Sequence, residues 1–380
     1  MGLFAKPDDA ARDRPGARRR HDRRKAPPRL CRIQGAYRLI LLLSLVVAGS
    51  AGWAETLRIA SFNTELSRKG PGLLLRDIVR GDEQVRAMAR VLARAGADVV
   101  ALQGIDYDHG GAALSELRKA VAAAGLEYPH VFTLRPNSGW QSGIDLDGDG
   151  RIGGPRDAQG YGLFSGQGGM AVLSRFPIDH DGVRDLSGLL WADLARAEGP
   201  KAEGVLSVEA ARVQRLSSIG HWVVPVVLPS GRRITLLTFH ATPPVFDGPE
   251  DRNGFRNADE LRLWRAYLDG DLGGAVTGAF VLAGDANADP ERGEGRKAAI
   301  RALLGDPRLS DPLPLSDTHH AATVAWEATG PMRVDYVLPS ADLKVLGAGV
   351  LWPAPGDPFA PVAEAASRHR LVWVDLALPD

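Results

Sequence analysis

Cysteine is almost missing from this chain of 380 residues, because Cys31 is the only one. Residues 55–380 can therefore form neither an internal disulfide nor a cysteine-based metal site. The chain also lacks an apolar segment long enough to span a bilayer comfortably, since its apolar core at residues 39–47 is too short. No basic run occurs beyond residue 38. These absences argue against a disulfide-stapled scaffold, a zinc finger and a polytopic membrane protein.

The first 54 residues have the organisation of an export signal. A basic segment at residues 12–38 precedes the apolar core, and small residues lead up to Ala54. We therefore predict a signal peptide at residues 1–54, cleaved after Ala54, and one folded domain at residues 55–380. The expected location is periplasmic or secreted, with no stable membrane insertion after cleavage. An uncleaved anchor, a misassigned start codon and twin-arginine export remain alternatives. A lipoprotein is disfavoured, because Cys31 precedes the apolar core.

The predicted leader hides the charge of the rest of the chain. The whole sequence balances 46 basic against 46 acidic residues. Residues 1–54 hold 12 of the basic and four of the acidic residues, so 34 basic and 42 acidic residues remain, a formal net charge of −8. Affinity for duplex DNA comes largely from basic side chains that neutralise phosphates. We therefore expect a small or flexible phosphoester as partner rather than duplex DNA, and a monomer.

Strand-like and helix-like segments alternate through each half of the chain. Predicted strands lie at residues 57–62, 98–102, 170–173, 222–228, 233–239, 280–283, 334–338 and 371–376. Predicted helices lie at residues 82–95, 111–124, 257–268 and 296–304. Residues 136–169 are rich in Gly and Asp and predict a long ordered loop, and residues 188–204 predict an insertion of weak helical character. This alternation indicates an α/β domain.

Short polar motifs occur at or near the ends of these strands. They are residues 61–63, 102–103, 238–240, 284–287, 333–336 and 367–369. Strand ends that face one side of a sheet are where α/β enzymes gather catalytic groups. The motifs contain two His, two Asp and two Asn, which is an inventory of acids, bases and amide donors for moving protons at a phosphate.

The order of these motifs, with residues 169–178 between them, resembles the endonuclease/exonuclease/phosphatase superfamily of deoxyribonuclease I-like hydrolases. The resemblance extends from about Leu57 to Leu376. It implies a fold of two packed mixed β-sheets flanked by helices, a four-layer α/β sandwich. It also implies phosphoric ester hydrolysis, with Mg²⁺ or Mn²⁺ as the expected catalytic ion.

The motifs also suggest individual roles. Asp285 and Asn287 are two residues apart, so an extended backbone would point both at one phosphate. By resemblance, His240 donates to the phosphate or protonates the leaving oxygen, and Asp335 lies close to His369, where a carboxylate can orient the imidazole. The simpler alternatives are a strand-capping histidine at His240 and an Asx-turn at Asp285.

Two positions depart from the superfamily pattern. The metal-binding glutamate of its Leu-Gln-Glu motif is replaced by Gly104, and the aspartate of its Ser-Asp-His motif is replaced by Arg368. By resemblance, Asn63 helps to place the metal or the phosphate. Asp106 would share the face of Gly104 if the strand continued, and could supply the missing metal ligand. Arg368 could instead neutralise the substrate phosphate directly.

A second metal site is predicted by the acidic run of residues 145–152. Asp145, Asp147 and Asp149 alternate as in the first half of a calcium-binding loop, and Ile152 would tether the loop to the core. Arg156 occupies the position of the usual closing glutamate. The site would be structural, and a plain acidic turn is the alternative.

A polar segment at residues 246–257 follows His240. Arg252 and Asn257 could reach a substrate phosphate from it, or Asn257 could act as a helix N-cap in a solvated loop. Together these features predict an exported phosphoesterase with a His/Asp/Asn site. The alternative is a phosphoester-binding or scaffold protein of the same fold that has lost turnover, since two metal ligands are changed.

Overall fold

Two mixed β-sheets form the centre of the protein. The computed structural model describes residues 56–377, so the predicted signal peptide and its cleavage site lie outside the described residues. The strands are β1 (Thr56–Asn63), β2 (Val99–Ile105), β3 (His130–Phe132), β4 (Gly169–Ser174), β5 (Arg184–Asp185), β6 (Gly220–Val227), β7 (Arg233–His240), β8 (Phe280–Asp285), β9 (Val324–Trp326), β10 (Gly330–Met332), β11 (Asp335–Pro339), β12 (Lys344–Val350) and β13 (Val372–Ala377). The helices are α1 (Leu73–Val79), α2 (Glu83–Ala95), α3 (Ala112–Ala123), α4 (Arg252–Asp269), α5 (Lys297–Leu304) and α6 (Ala360–Ala366).

The first sheet has six strands in the order β12-β13-β1-β2-β4-β3, and the second has five in the order β11-β8-β7-β6-β5. Strands β9 and β10 form a separate hairpin. In the first sheet, β1 pairs in parallel with β2 and antiparallel with β13. In the second, β8 pairs in parallel with β7 and antiparallel with β11. The predicted mixed sheets are therefore confirmed.

Three apolar clusters separate four layers, as the predicted sandwich requires. One lies between the two sheets and includes Ile59 and Val281. A second packs α2 and α3 on the outer face of the first sheet, through Leu92 and Leu117. A third packs α4 and α5 on the outer face of the second sheet, through Trp264. Apolar side chains thus cover both faces of each sheet, which stabilises the layered arrangement.

Local signals explain both boundaries of α2. The side chain of Asp82 accepts a hydrogen bond from the Val85 N–H and caps α2, and Gly96 ends that helix in the left-handed conformation. The prediction for α4 was wrong at its start, because the helix begins at Arg252 and Asn257 lies inside it. The predicted insertion at residues 188–204 contains only short 3₁₀ turns. The long loop at residues 136–169 is confirmed.

Candidate active site

The layer between the sheets is apolar along most of its length and polar at one end. Strand side chains alternate between the two faces of a sheet. In β1, Leu57 and Ile59 face the second sheet, so Asn63 continues the same row. In β8, Val281 and Ala283 face the first sheet, and Asp285 continues their row. The periodicity that builds the core therefore also brings polar groups from both sheets together at its edge.

Asp285 is the centre of this cluster and has no exposed surface. Asn63 donates a hydrogen bond from Nδ2 to its Oδ2 at 2.8 Å, and the Asn287 backbone N–H donates to its Oδ1 at 2.8 Å. The Nε2 atom of His240 lies 3.4 Å from Oδ2 of Asp285. His240 and Asp285 are register partners in adjacent parallel strands, so their strand ends coincide. The structure thus brings Asn63 and His240 onto Asp285. The extended geometry predicted for Asp285 and Asn287 was wrong, because Asn287 has a left-handed φ of +48° and its N–H closes an Asx-turn on Asp285. The Asn287 amide donates from Nδ2 to the Ala241 carbonyl oxygen at 2.9 Å.

Asp335 and His369 form the neighbouring pair. Nδ1 of His369 lies 2.9 Å from Oδ2 of Asp335, and it is 4.0 Å from Oδ2 of Asp285. Thr323 donates its hydroxyl hydrogen to Asp335 at 2.7 Å, a support that the sequence did not reveal. Asp335 is also the cross-strand partner of Asp285. The imidazole of His369 is thus held beside two buried carboxylates.

Burial and charge give the ionisable groups different protonation states. Burial and the nearby charge of Asp335 raise the pKa of Asp285 to about 7. Burial alone would lower the pKa of His369, but the charge and hydrogen bond of Asp335 raise it to about 9. Burial lowers the pKa of His240 to about 3. Near neutral pH the site therefore holds a cationic His369, a neutral His240 and an Asp285 that can exchange a proton.

The mouth of the cleft contains an ion pair between Glu65 and Arg368. Nε of Arg368 donates to Oε1 of Glu65 at 2.8 Å, its backbone N–H donates to Oε2 at 2.7 Å, and Nη2 also contacts the carboxylate. Although burial alone would raise it, these hydrogen bonds lower the pKa of Glu65 below its ordinary value. The sequence offered one signal for Glu65, since it lies two residues after Asn63.

Gly104 occupies a backbone conformation that a glutamate would not readily adopt. Its φ is +69°, and the pairing of β2 with β4 shifts register between Gln103 and Ile105. A Cβ atom at this position would lie 2.5 Å from Oδ1 of Asn63 and 3.0 Å from the backbone nitrogen of Glu65. A glutamate at this position would therefore be strained, and Asn63 and Glu65 fill the adjacent space.

The structure places Asp106 away from Asn63 and Asp285. Its Oδ2 accepts the backbone N–H of Arg68 at 2.8 Å, and its Oδ1 accepts that of Gly168 at 2.9 Å. The carboxylate thus joins two loops. Its predicted role as a replacement metal ligand assumed that the alternation of β2 continues through Gly104, whereas the register shift there breaks it.

The side chains of Arg252 and Asn257 form hydrogen bonds that connect separate segments of the fold. Arg252 donates to the Leu146 carbonyl oxygen and to Oε1 of Gln214, each at 2.8 Å. Asn257 is buried and donates to the carbonyl oxygens of Thr242 at 2.7 Å and Ala286 at 2.8 Å. Asn257 therefore fixes the segments that follow His240 and Asp285, and it is not the N-cap, which is Asp251. Asn257 is buried and does not line the cavity beside His240, whereas Arg252 does, so contact of Arg252 with a substrate stays a prediction.

The acidic loop brings Asp145, Asp147 and Asp149 together, with one carboxylate oxygen from each lying within 4.8 Å of the others. The backbone N–H groups of Gly150 and Gly148 donate to Asp145 and lower its pKa. The expected tether was wrong: Ile152 is 69 % exposed, whereas Leu146 is 8 % exposed. Asp157 closes the loop by accepting three backbone N–H groups.

A cavity of about 960 Å³ opens beside His240. It adjoins a smaller cleft of about 420 Å³ that is lined by Asn63, Glu65, Gly104 and Arg368, and His240 borders both. The wall of the larger cavity includes Asp145, Asp147, Arg156, Asp247, Glu250 and Arg252. A ligand whose phosphate lies in the cleft has room for a substituent in this cavity.

A family model described as Endonuclease/Exonuclease/phosphatase family matches residues 60–369. The chain belongs to this family. Members of this family are hydrolases, so membership indicates hydrolysis as the general class of reaction. No curated protein matches the sequence.

The chain is similar to several solved structures, of which the one with a TM-score above 0.5 supports the fold. An endonuclease/exonuclease/phosphatase from Beutenbergia cavernae is 20% identical, with a TM-score of 0.52, over 85% of this chain and 72% of that one. A family protein from Leptotrichia buccalis is 16% identical, with a TM-score of 0.48, over 85% of this chain and 100% of that one. A mannosyl-6-phosphatase from Bacteroides thetaiotaomicron is 15% identical, with a TM-score of 0.46, over 85% of this chain and 100% of that one.

Among the residues that the structure describes, no helix combines the length and apolarity needed to cross a membrane.

Members of the family are generally metal-dependent, and Asp285, Asp335 and His369 form an acidic and histidine cluster. Oδ2 of Asp285 accepts a hydrogen bond from Asn63, and Oδ2 of Asp335 accepts one from Thr323. Nδ1 of His369 lies within hydrogen-bond distance of Asp335. The carboxylate of Glu65 is bound to Arg368. A divalent ion coordinated by carboxylates at positions 104 and 368 does not fit, because these positions hold Gly104 and a cation.

Proposed function

We propose that the protein is an exported phosphoesterase that hydrolyses a phosphodiester or phosphomonoester. The observation that carries this proposal is the contact set around Asp285, which joins Asn63, Asn287 and His240 to the Asp335–His369 pair. Family membership supports hydrolysis in general. The ester class and the export are our inference, the latter from the leader predicted at residues 1–54.

In this proposal, Asp285 orients and deprotonates the water that attacks phosphorus. A pKa of about 7 suits this role, because a base works best when its pKa lies near the operating pH. The cationic His369 stabilises the negative charge of Asp285 and of the reacting phosphate. His240 borders the cleft and stabilises the charge that develops on the phosphate oxygens, and Asn287 holds the Asp285 carboxylate in place through its backbone N–H.

The substrate is proposed to be small or flexible, with a substituent that occupies the 960 Å³ cavity beside His240. This volume falls in the range of pockets for small molecules. The net charge of −8 on residues 55–380 opposes association with duplex DNA. A monomer remains our expectation, and Mg²⁺ or Mn²⁺ remains the ion expected from the family.

Purified protein should hydrolyse mono- or bis(p-nitrophenyl) phosphate, and should do so faster than it nicks plasmid DNA at physiological salt. Release of p-nitrophenol is measured with Mg²⁺, with Mn²⁺, with Ca²⁺ and with EDTA. Folded protein that turns over no ester of a broad panel under any of these conditions would favour the alternative, a phosphoester-binding protein without turnover. Faster plasmid nicking would contradict the substrate class.

The binding of Ca²⁺ by the acidic loop stays a prediction. Like charges this close repel one another unless a cation lies between them. Millimolar Ca²⁺ should therefore raise the melting temperature relative to EDTA. Asp149→Asn should remove this rise and leave hydrolysis unchanged, because Asp149 belongs to the acidic cluster but does not line the cavity beside His240. The control Asp271→Asn, an exposed site on another loop, should retain the rise. Equal wild-type melting temperatures in Ca²⁺ and EDTA would identify a plain acidic turn.

A further inference from the structure

Arg368 places a cation where the family resemblance places a metal-binding carboxylate. Nε and Nη2 of its guanidinium, together with its backbone N–H, bind Glu65. Within residues 56–377, Nη1 makes no hydrogen bond, and the side chain is 66% exposed. A guanidinium held on one side by a carboxylate keeps further N–H donors for an oxyanion on the other side.

Glu65 is fixed in an unusual backbone conformation that directs its carboxylate to the cleft. Its φ is +49°, a region that residues other than glycine rarely adopt. The Glu65 backbone N–H donates to Oδ1 of Asn63 at 3.1 Å, and Ser367 donates to the Glu65 carboxylate at 3.1 Å. Backbone strain of this kind persists where surrounding contacts over-determine it, and it is concentrated at functional sites. The conformation therefore holds the partner of Arg368 in a defined place.

The pair borders the same cleft as the catalytic groups. Glu65, Arg368, Asn63 and His240 all line the cleft of about 420 Å³, and Gly104 lies between them. Asn63 connects the pair to the centre of the site, because it contacts Glu65 through Oδ1 and Asp285 through Nδ2. A phosphate that contacts His240 in this cleft is thus bordered by a guanidinium on the side where the family pattern has carboxylates.

We propose that Arg368, positioned by Glu65, binds the substrate phosphate and supplies the positive charge that a carboxylate-held metal ion supplies in other members of the family. This inference rests on the proposed function in one respect only, namely that the bound phosphate belongs to the substrate. Binding of inorganic phosphate tests it without turnover. Arg368 is then a binding and catalytic residue, and Glu65 is a positioning residue.

The first experiment is calorimetric titration of the protein with inorganic phosphate in the presence of EDTA. Wild-type protein should bind phosphate without any divalent ion. Arg368→Gln should weaken binding roughly 10- to 100-fold, because it removes a charge-assisted hydrogen bond. The phosphate affinity of Arg368→Lys should lie between those of wild type and Arg368→Gln, since lysine keeps the charge and loses the planar guanidinium. The matched control is Arg175→Gln, which removes an ion pair of 2.7 Å with Asp98 next to the opposite end of β2, and it should bind as wild type.

The second experiment separates Glu65 as a positioning residue from Glu65 as a metal ligand. Glu65→Gln removes the negative charge that is paired with Arg368, so phosphate affinity in EDTA should be unchanged or higher. The kcat for the ester should fall, because Arg368 is no longer held in position. Mg²⁺ and Mn²⁺ are also titrated into phosphate-free wild-type protein and into Glu65→Gln. The two proteins should show the same metal binding. A purely structural role would not separate phosphate affinity from kcat in this way.

Several results would overturn the proposal. They are phosphate binding by wild type only when Mg²⁺ or Mn²⁺ is present, wild-type affinity in folded Arg368→Gln, and metal binding that is lost in Glu65→Gln. Failure of the proposed function looks different. In that case no ester is turned over, yet phosphate still binds in EDTA and still depends on Arg368, which supports the present inference.

Discussion

Replacing Asp285 with asparagine is expected to lower the rate of ester hydrolysis by about 10²-fold or more, since a positioned base contributes about this much. The substitution keeps the shape of the side chain and removes the proton acceptor. It changes an atom that contacts Asn63 and His240 directly. The measurement is kcat/KM for the best p-nitrophenyl ester, with folding checked by circular dichroism. A folded variant that keeps activity within a few-fold of wild type would remove Asp285 from the mechanism.

A matched control exists in Asp306→Asn. Asp306 is also buried, at 3% exposed, but it binds Arg308 on the outer side of the second sheet. This variant should lose stability and retain its kcat. The pH profile gives an independent readout, because wild-type kcat/KM should rise as Asp285 ionises near pH 7 and fall as His369 loses its proton near pH 9. Asp285→Asn should lose the rising limb. A wild-type profile that is flat between pH 6 and 10 would contradict both assignments.

Adding a single methyl group at Gly104 is expected to damage both stability and activity. In Gly104→Ala, the new Cβ would lie 2.5 Å from Oδ1 of Asn63, so the amide must move and release Asp285. The left-handed φ adds a cost of about 1–2 kcal/mol, and overpacking adds about 1–3 kcal/mol. Hydrolysis should fall by about tenfold or more. Chemical denaturation and kcat/KM measure the two effects.

Gly111→Ala separates the two contributions to this loss. Gly111 has nearly the same φ, +64°, but a Cβ there would meet nothing within 4 Å. The control should therefore show only the conformational cost, with normal activity. Equal stability and equal activity of the two variants would show that the space around Gly104 is not tight. The same crowding predicts that Gly104→Glu will not simply restore the glutamate of the family pattern.

Strand-like apolar segments made the main strands and the centre of the site predictable, whereas the two-sheet fold was implied by the family resemblance. Asn63, His240 and Asp285 each end such a segment, although β8 is apolar and buried throughout rather than alternating. The order of the motifs then placed Asp335 and His369. The first sheet, the second sheet and the central cluster of the site agree with these expectations.

The errors arose where loops and tertiary contacts decide the geometry. Asp106 was placed by continuing the alternation of β2, which the register shift at Gly104 interrupts. The start of α4 was placed at Asn257, yet the helix begins at Arg252, whose side chain is held by two acceptors distant in sequence. Glu65 was missed because its partner, Arg368, lies 303 residues away in sequence. Sequence periodicity carries no information about such distant pairs.

That separation also governs when the site can exist. Strand β1 pairs with β13, and Ser367 donates to the backbone of Asn63 across 304 residues. Contacts between distant parts of a chain close large loops and form late in folding. A growing chain that lacks its last residues has no His369, no Arg368 and an incomplete first sheet. The proposed site therefore cannot assemble until synthesis has reached the last strand.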